Sequence, residues 1–101
     1  MSILIAEDNE AQRRYLKELL SERFPDHLPL IEANDGESAV RMTIEARPML
    51  AIFDIQMPKL NGFEMLELLE DPPIIIFTTA YDHFAIKAFE VSAVDYLLKP
   101  F

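Results

Sequence analysis

Four apolar runs in this chain each end on a polar residue with chemical use. They are Ile3-Leu4-Ile5-Ala6 into Glu7-Asp8, Leu50-Ala51-Ile52-Phe53 into Asp54, Ile74-Ile75-Ile76-Phe77 into Thr78-Thr79, and Val94-Asp95-Tyr96-Leu97-Leu98 into Lys99. Stretches of helical spacing separate them, and that alternation is the pattern of βαβ units feeding one parallel sheet. Parallel strands share a carboxyl edge, and ligands of open α/β sheets bind outside it. The sequence therefore predicts a fold and a site together, because all of these polar groups converge on one edge.

The punctuation between the runs is consistent with this. Asn9 stands as an N-cap with Gln12 three residues on, as in a capping box. Ala11, Tyr15 and Leu19, with Leu16 and Leu20 beside them, repeat at helical spacing until Pro25, which predicts a helix near 10–23. Leu30-Ile31-Glu32-Ala33 reads as a short second strand. Asn34-Asp35-Gly36-Glu37 turns into a helix carrying Ala39, Val40, Met42 and Ile44 up to Pro48. Residues 56–60 read as loop, and Asn61 with Glu64 as a second capping box. Phe63, Leu66 and Leu69 form one face of a third helix that Asp71-Pro72-Pro73 ends. The run at 74–77 is wholly apolar, as expected of a strand covered on both faces. Asp82 caps a fourth helix with Phe84, Ala88 and Val91 in register, and a fifth strand follows at about 94–98. Five strands thus stand beside four helices, because the sequence stops three residues after Leu98. A sheet of this kind needs both faces covered, and each large side chain left bare forfeits roughly 1.5–3 kcal/mol. The expectation is a fifth helix missing from this sequence, or another cover for that face.

Length and composition remove several function classes. A chain of 101 residues, half of them hydrophobic, is one domain with a real core. Its formal charge of −9 argues against gripping a nucleic-acid backbone or an anionic membrane directly, and favours ligands that are cationic or bridged by a cation. The absence of cysteine excludes disulfides, thiol nucleophiles and zinc–thiolate sites. No apolar run approaches the ~20 residues that span a bilayer, and Glu7-Asp8 interrupts the first run too early for a signal peptide; a cytoplasmic location is expected. Two glycines are too few for a glycine-rich phosphate cradle.

At the shared edge, Glu7, Asp8 and Asp54 bring three carboxylates to the ends of two strands that are neighbours in a doubly wound sheet. Unpaired, they repel; with a main-chain carbonyl and waters they are hard oxygen ligands suited to Mg²⁺ or Mn²⁺, with positions left open for a phosphate. Lys99 adds a positive charge and Thr79 a hydroxyl, which completes a cradle for a small anion. That anion is either free or covalently attached. An aspartate within reach of a cation and a lysine can act as nucleophile toward phosphorus, which makes Asp54 the candidate acceptor. Solvated acids and surface residues at strand ends are the bland alternative.

Glu7-Asp8 after the first strand, Asp54-Ile55-Gln56-Met57-Pro58-Lys59-Leu60-Asn61-Gly62, Thr79-Ala80 and Lys99-Pro100-Phe101 resemble the receiver domain of two-component response regulators, and the likeness spans residues 1–101. The segment 79–91 running into 95–101 resembles the subgroup that precedes a LytTR-type DNA-binding domain, and no such output domain is in this sequence. The resemblance implies a flavodoxin-like, doubly wound, five-stranded parallel sheet of order 2-1-3-4-5 with its last helix missing. It also implies that Asp54 accepts a phosphoryl group from the phosphohistidine of a sensor histidine kinase or from acetyl phosphate. By the same resemblance Asp8, Asp54 and the backbone carbonyl of Gln56 ligate Mg²⁺, with Glu7 acting through water. Thr79 hydrogen-bonds the phosphoryl group, Lys99 pairs with it, and Tyr96 is the aromatic that turns inward as Thr79 moves. Lys99-Pro100 resembles the family's cis peptide. Assembly through the fourth helix, the fifth strand or the face left by the missing helix, as a homodimer, is a further implication.

Two departures from the family pattern stand out besides the missing helix. Glu7 occupies a position where aspartate is commoner, and the segment from Asp54 to Thr79 is short, which implies a trimmed third helix or following loop. Other residues read as structural. His27 and His83 lack metal-ligand spacing, Met42, Met49, Met57 and Met65 read as core or loop packing, and Arg13, Arg14 and Lys17 read as a solvated helix face that in receivers also meets the kinase. Three competing readings remain. An aspartyl-nucleophile phosphatase resembles Asp-x-Asp at this strand end, whereas Gln56 stands at the second position and leaves no acid for a leaving group. A flavodoxin-like cofactor binder needs a hydroxyl-rich phosphate loop where Glu7-Asp8-Asn9 stands. A phosphorylation-independent interaction module of the same fold is the third.

Overall fold

Parallel pairing sets every strand in one direction. The computed structural model describes residues 2–23, 29–79 and 95–98, the last as strand backbone. Its elements are β1 (Ile3–Ala6), α1 (Glu10–Arg23), β2 (Leu30–Ala33), α2 (Gly36–Ala46), β3 (Leu50–Asp54), α3 (Gly62–Glu67), β4 (Ile74–Thr79) and β5 (Asp95–Leu98). They form one sheet of order β2-β1-β3-β4-β5, the doubly wound order expected. Ile3 lies beside Leu30 on one side and Leu50 on the other, so the strands start and end nearly level. The helix expected over 82–91, His27 and His83, and the residues after Leu98 lie outside the described residues.

Side chains alternate across the strands. Leu4, Ala6, Ala51, Phe53, Ile75 and Phe77 face one way and pack with Ala39 of α2 and Phe63 and Met65 of α3. Phe77 is the centre of that layer: the Phe63 ring meets it edge-on at 5.0 Å, and Phe53 is tilted against it at 6.4 Å. On the opposite face Ile5 and Ile52 pack with Leu16, and Leu20 and Ile76 are only partly buried. Of the described helices, none is long and apolar enough to cross a membrane.

Five local expectations need correction. The inward stripe of α1 is Leu16 and Leu20, with Gln12 and Arg13 half-buried, while Ala11, Tyr15 and Leu19 turn outward, Tyr15 with 43% of its surface exposed. Arg13 and Lys17 both reach Glu32 on β2, ion pairs compatible with the rotation that buries Leu16 against Ile5 and Ile52. The capping box at its start is half made. Asn9 Oδ1 accepts the Gln12 N–H at 3.0 Å, but the Asn9 N–H donates to Glu7 Oε2 at 3.1 Å, leaving Gln12 Oε1 buried without a partner among the described residues. Third, β4 is not covered along its whole length: Ile74, its first residue, is 51% exposed. Last, α3 ends at Glu67, and Leu69 is buried beyond the helix rather than on its face; Met49, expected in packing, is exposed.

Candidate functional site

The strand register brings the acids together. Ala6 pairs with Phe53, so the next residues, Glu7 and Asp54, stand at adjacent strand ends. One carboxylate oxygen from each of Glu7, Asp8 and Asp54 lies within 4.8 Å of the other two. Glu7 and Asp54 are buried, at 1% and 5% exposure, and Asp8 opens to solvent. An octahedral Mg²⁺ with ligands at 2.0–2.1 Å spaces its oxygens about 3–4 Å apart. The cluster is of that size, with slack for one acid to act through water, and its all-oxygen donors suit a hard divalent cation.

The two buried acids are held by different pieces of backbone. The Glu7 N–H donates to the Ala33 carbonyl of β2 at 3.0 Å, and its carboxylate accepts from Asn9 as described. The Glu7 carbonyl accepts from Arg13 Nη1 at 2.8 Å. Asp54 Oδ1 accepts the Gln56 N–H at 3.1 Å, which turns the chain directly after the strand. Ile55 N–H donates to the Thr78 carbonyl at 3.0 Å, so the β3–α3 loop leaves the sheet anchored to β4.

That loop is then clamped by the protein's two glycines. A Cβ on Gly36 would stand 2.5 Å from both Cβ and the carbonyl oxygen of Leu60, and the Gly36 N–H donates to the Pro58 carbonyl at 3.1 Å. A Cβ on Gly62 would stand 2.9 Å from the Phe77 ring and 3.1 Å from Ile55 Cα. Asn61 and Glu64 make the complete capping box expected of them, at 2.8 and 2.9 Å. Lys59 sits at φ 73° and places its ammonium 3.8 Å from Asp35 and 3.6 Å from Glu37. The Ser38 N–H bonded to Asp35, at 2.8 Å, holds that carboxyl below its ordinary range, and Lys59 and Arg41 pull the same way.

Thr79 is 1% exposed at the end of β4, one strand over from Asp54, and its backbone pairs with Leu98 of β5. Its neighbour Thr78 pairs with Asp54 along the backbone, and the Thr78 hydroxyl is buried without a hydrogen-bond partner among the described residues. Lys99 and the side chain of Tyr96 lie outside the described residues. Arg13, read from the sequence as part of a solvated helix face, instead reaches the Glu7 carbonyl and Glu32. Its signal was Glu32, the one charge in β2, for which the basic face of the first helix was the available partner.

The family model for the response regulator receiver domain matches residues 3–101. The chain is 42% identical over 105 residues to the sensory transduction protein LytR of Streptococcus mutans, a likeness that covers 100% of this chain and 43% of that protein. It is 41% identical to the sensory transduction protein LytT of Bacillus cereus, covering 100% of this chain and 42% of the relative. The chain thus spans less than half the length of these curated relatives. Among solved structures, the N-terminal domain of an uncharacterized protein from Wolinella succinogenes aligns with a TM-score of 0.87 at 35% identity, over 100% of this chain and 83% of that one. A two-component response regulator of the LuxR family from Aurantimonas aligns at 0.86 and 28% identity, over 98% and 74%.

Proposed function

The chain belongs to the response regulator receiver domain family, and on that premise we propose that residues 1–101 form a receiver in which Asp54 is the phosphoacceptor of a signalling switch. A receiver is a module of two-component signalling and not a turnover enzyme. The observation that carries the assignment is the gathering of one carboxylate oxygen each from Glu7, Asp8 and Asp54 within 4.8 Å, with Asp54 the last residue of the interior strand β3.

In the proposed transfer an Asp54 carboxylate oxygen attacks phosphorus. An O–P bond forms as the P–N bond to the histidine of a sensor kinase breaks, and the imidazole leaves with the electron pair and takes up a proton. Mg²⁺ or Mn²⁺, held by Asp8, Asp54 and the Gln56 carbonyl with Glu7 through water, supplies charge neutralisation for the phosphoryl oxygens when bound. The Thr79 hydroxyl donates to one phosphoryl oxygen and Lys99 pairs with another. Drawing Thr79 toward the phosphoryl group opens space that Tyr96 fills, and this biases a pre-existing equilibrium between two conformations. The output is carried by a further domain. The likeness to two sensory transduction proteins supports a signalling role; in this reading the regulator is cytoplasmic and its phosphorylated receiver controls a DNA-binding domain, with dimerisation through the fourth helix, the fifth strand or the face left by the missing helix as the means.

Incubation with acetyl phosphate and Mg²⁺, read by intact mass, should add one phosphoryl group, and beryllofluoride with Mg²⁺ should shift the amide spectrum around residues 7–8 and 54–56. Asp54→Asn should abolish both responses. A folded protein that shows neither would instead be a phosphorylation-independent interaction module.

A further inference from the structure

We propose that Arg13 is a positioning residue for the cation site, a strut from α1 that sets where Asp8 stands. The inference rests on the receiver reading above, since it concerns the same three carboxylates. Arg13 Nη1 donates to the Glu7 carbonyl at 2.8 Å, and its Nε donates to Glu32 Oε1 at 3.2 Å. That carbonyl belongs to the peptide plane joining Glu7 to Asp8. Because the plane is rigid, fixing its oxygen fixes the direction in which the Asp8 backbone continues. The Glu7 N–H is already tied to β2 through Ala33, so Arg13 removes the remaining freedom of the turn.

The fork of the guanidinium is what the geometry uses. One nitrogen serves the turn and another serves β2, and the side chain is only 18% exposed, so the charged hydrogen bonds are partly shielded from water. Lys17 shares Glu32 at 3.3 Å from its second oxygen and keeps that carboxylate aligned when Arg13 is bound to it. Lysine in place of Arg13 would carry the same charge at a single point and could serve one partner but not both.

Charge and position make opposite predictions here. A positive group beside three carboxylates opposes the binding of a second cation, so if Arg13 contributed only its charge, its removal would tighten Mg²⁺ binding. If it positions the turn, removal weakens binding, and outer-shell partners of metal ligands typically matter by about 10–100-fold in affinity. Calorimetric titration of the 101-residue chain with Mg²⁺ therefore decides the sign. We expect the Kd to rise about tenfold in Arg13→Ala, at the low end of that range, and by a smaller factor in Arg13→Lys, where charge is unchanged. Glu32→Gln, which keeps an oxygen acceptor for Nε, should fall between wild type and Arg13→Ala. The Mg²⁺ concentration that half-saturates phosphorylation by acetyl phosphate should move in parallel. Circular dichroism checks that each variant is folded, and if Arg13→Ala is not, the titration of Arg13→Lys decides the question. Unchanged or tighter binding in the folded arginine variants overturns the positioning role alone. Absence of Mg²⁺ binding by the wild-type chain overturns the receiver reading and this inference with it.

Discussion

The two turns that carry the carboxylates share hydrogen bonding and differ in whether close packing is added to it. The β1–α1 turn, with Glu7 and Asp8, is held by hydrogen bonds that Arg13 and Asn9 donate to Glu7 and by the one that the Glu7 N–H donates to the Ala33 carbonyl of β2. The β3–α3 loop after Asp54 has hydrogen bonds of its own, from Ile55 to the Thr78 carbonyl and from Gly36 to the Pro58 carbonyl, and adds close contact at two positions where a side chain would collide with Leu60, Ile55 or Phe77. Polar fastening is directional and can yield to a change of charge nearby. Steric fastening has no such give, because a packed interior resists displacement of even one methyl group. On the proposed function, the acceptor Asp54 stands beside the packed loop, while the turn with the solvent-open Asp8 depends on polar bonds, that of Arg13 among them.

Adding methyl groups on the rigid side should produce the largest effect. Gly36→Ala, at the first position of α2, would in an open helix stabilise by roughly 0.5–1 kcal/mol. Here the sign reverses, because the new Cβ meets the backbone of Leu60. A loss of about 1–3 kcal/mol is expected from overpacking, read as a lower urea midpoint. Gly62→Ala should lose a similar or smaller amount, since the Phe77 ring has more room to move than backbone does. A gain in stability for Gly36→Ala would dissolve the contrast between the two turns.

Next in size is an acid-side effect at the border of the two regions. The Asp35 carboxyl is held below its ordinary value by the Ser38 N–H, so its contribution is fully present above the unfolded pKa of about 3.9 and is lost as pH falls through the lower folded value. Asp35→Asn keeps a capping oxygen and removes the titration. Thermal midpoints followed from neutral to strongly acid pH should decline less steeply in this variant than in wild type. Parallel profiles would show that the cap does not sense its charge.

The smallest expected effect tests whether the steric side carries a polar defect. Thr78→Val removes a buried hydroxyl that has no partner among the described residues, and it leaves the carbonyl that anchors Ile55 in place. The result should be neutral or stabilising by up to about 1 kcal/mol in urea denaturation. A clear loss would mean that this hydroxyl has work beyond packing.

Much of this architecture is legible in the residue order. The strands, the helix at 10–23, the full capping box at Asn61 and Glu64, and the meeting of Glu7, Asp8 and Asp54 all follow from local pattern plus the geometry of parallel strands. The rotation of α1 does not. Apolar residues at Ala11, Tyr15 and Leu19 and at Leu16 and Leu20 suit two different faces, and periodicity cannot choose between them. The choice is made by contacts distant in sequence: Leu16 buries against Ile5 and Ile52, and Arg13 and Lys17 reach Glu32, nineteen and fifteen residues away. The half-made box at Asn9 comes from competition for a polar group, since Glu7 takes the N–H that Gln12 was expected to receive.

By itself, then, the sequence determined the strand alternation and the convergence of acids on one edge, because both depend on spacing along the chain and on the shared direction of parallel strands. Only the tertiary structure decided how those acids are held. Arg13 bridging the Glu7 carbonyl to Glu32, Gly36 against Leu60 and Gly62 against Phe77 join segments that are far apart in the chain. Such contacts are set by how packed layers settle against one another, and no local pattern encodes that.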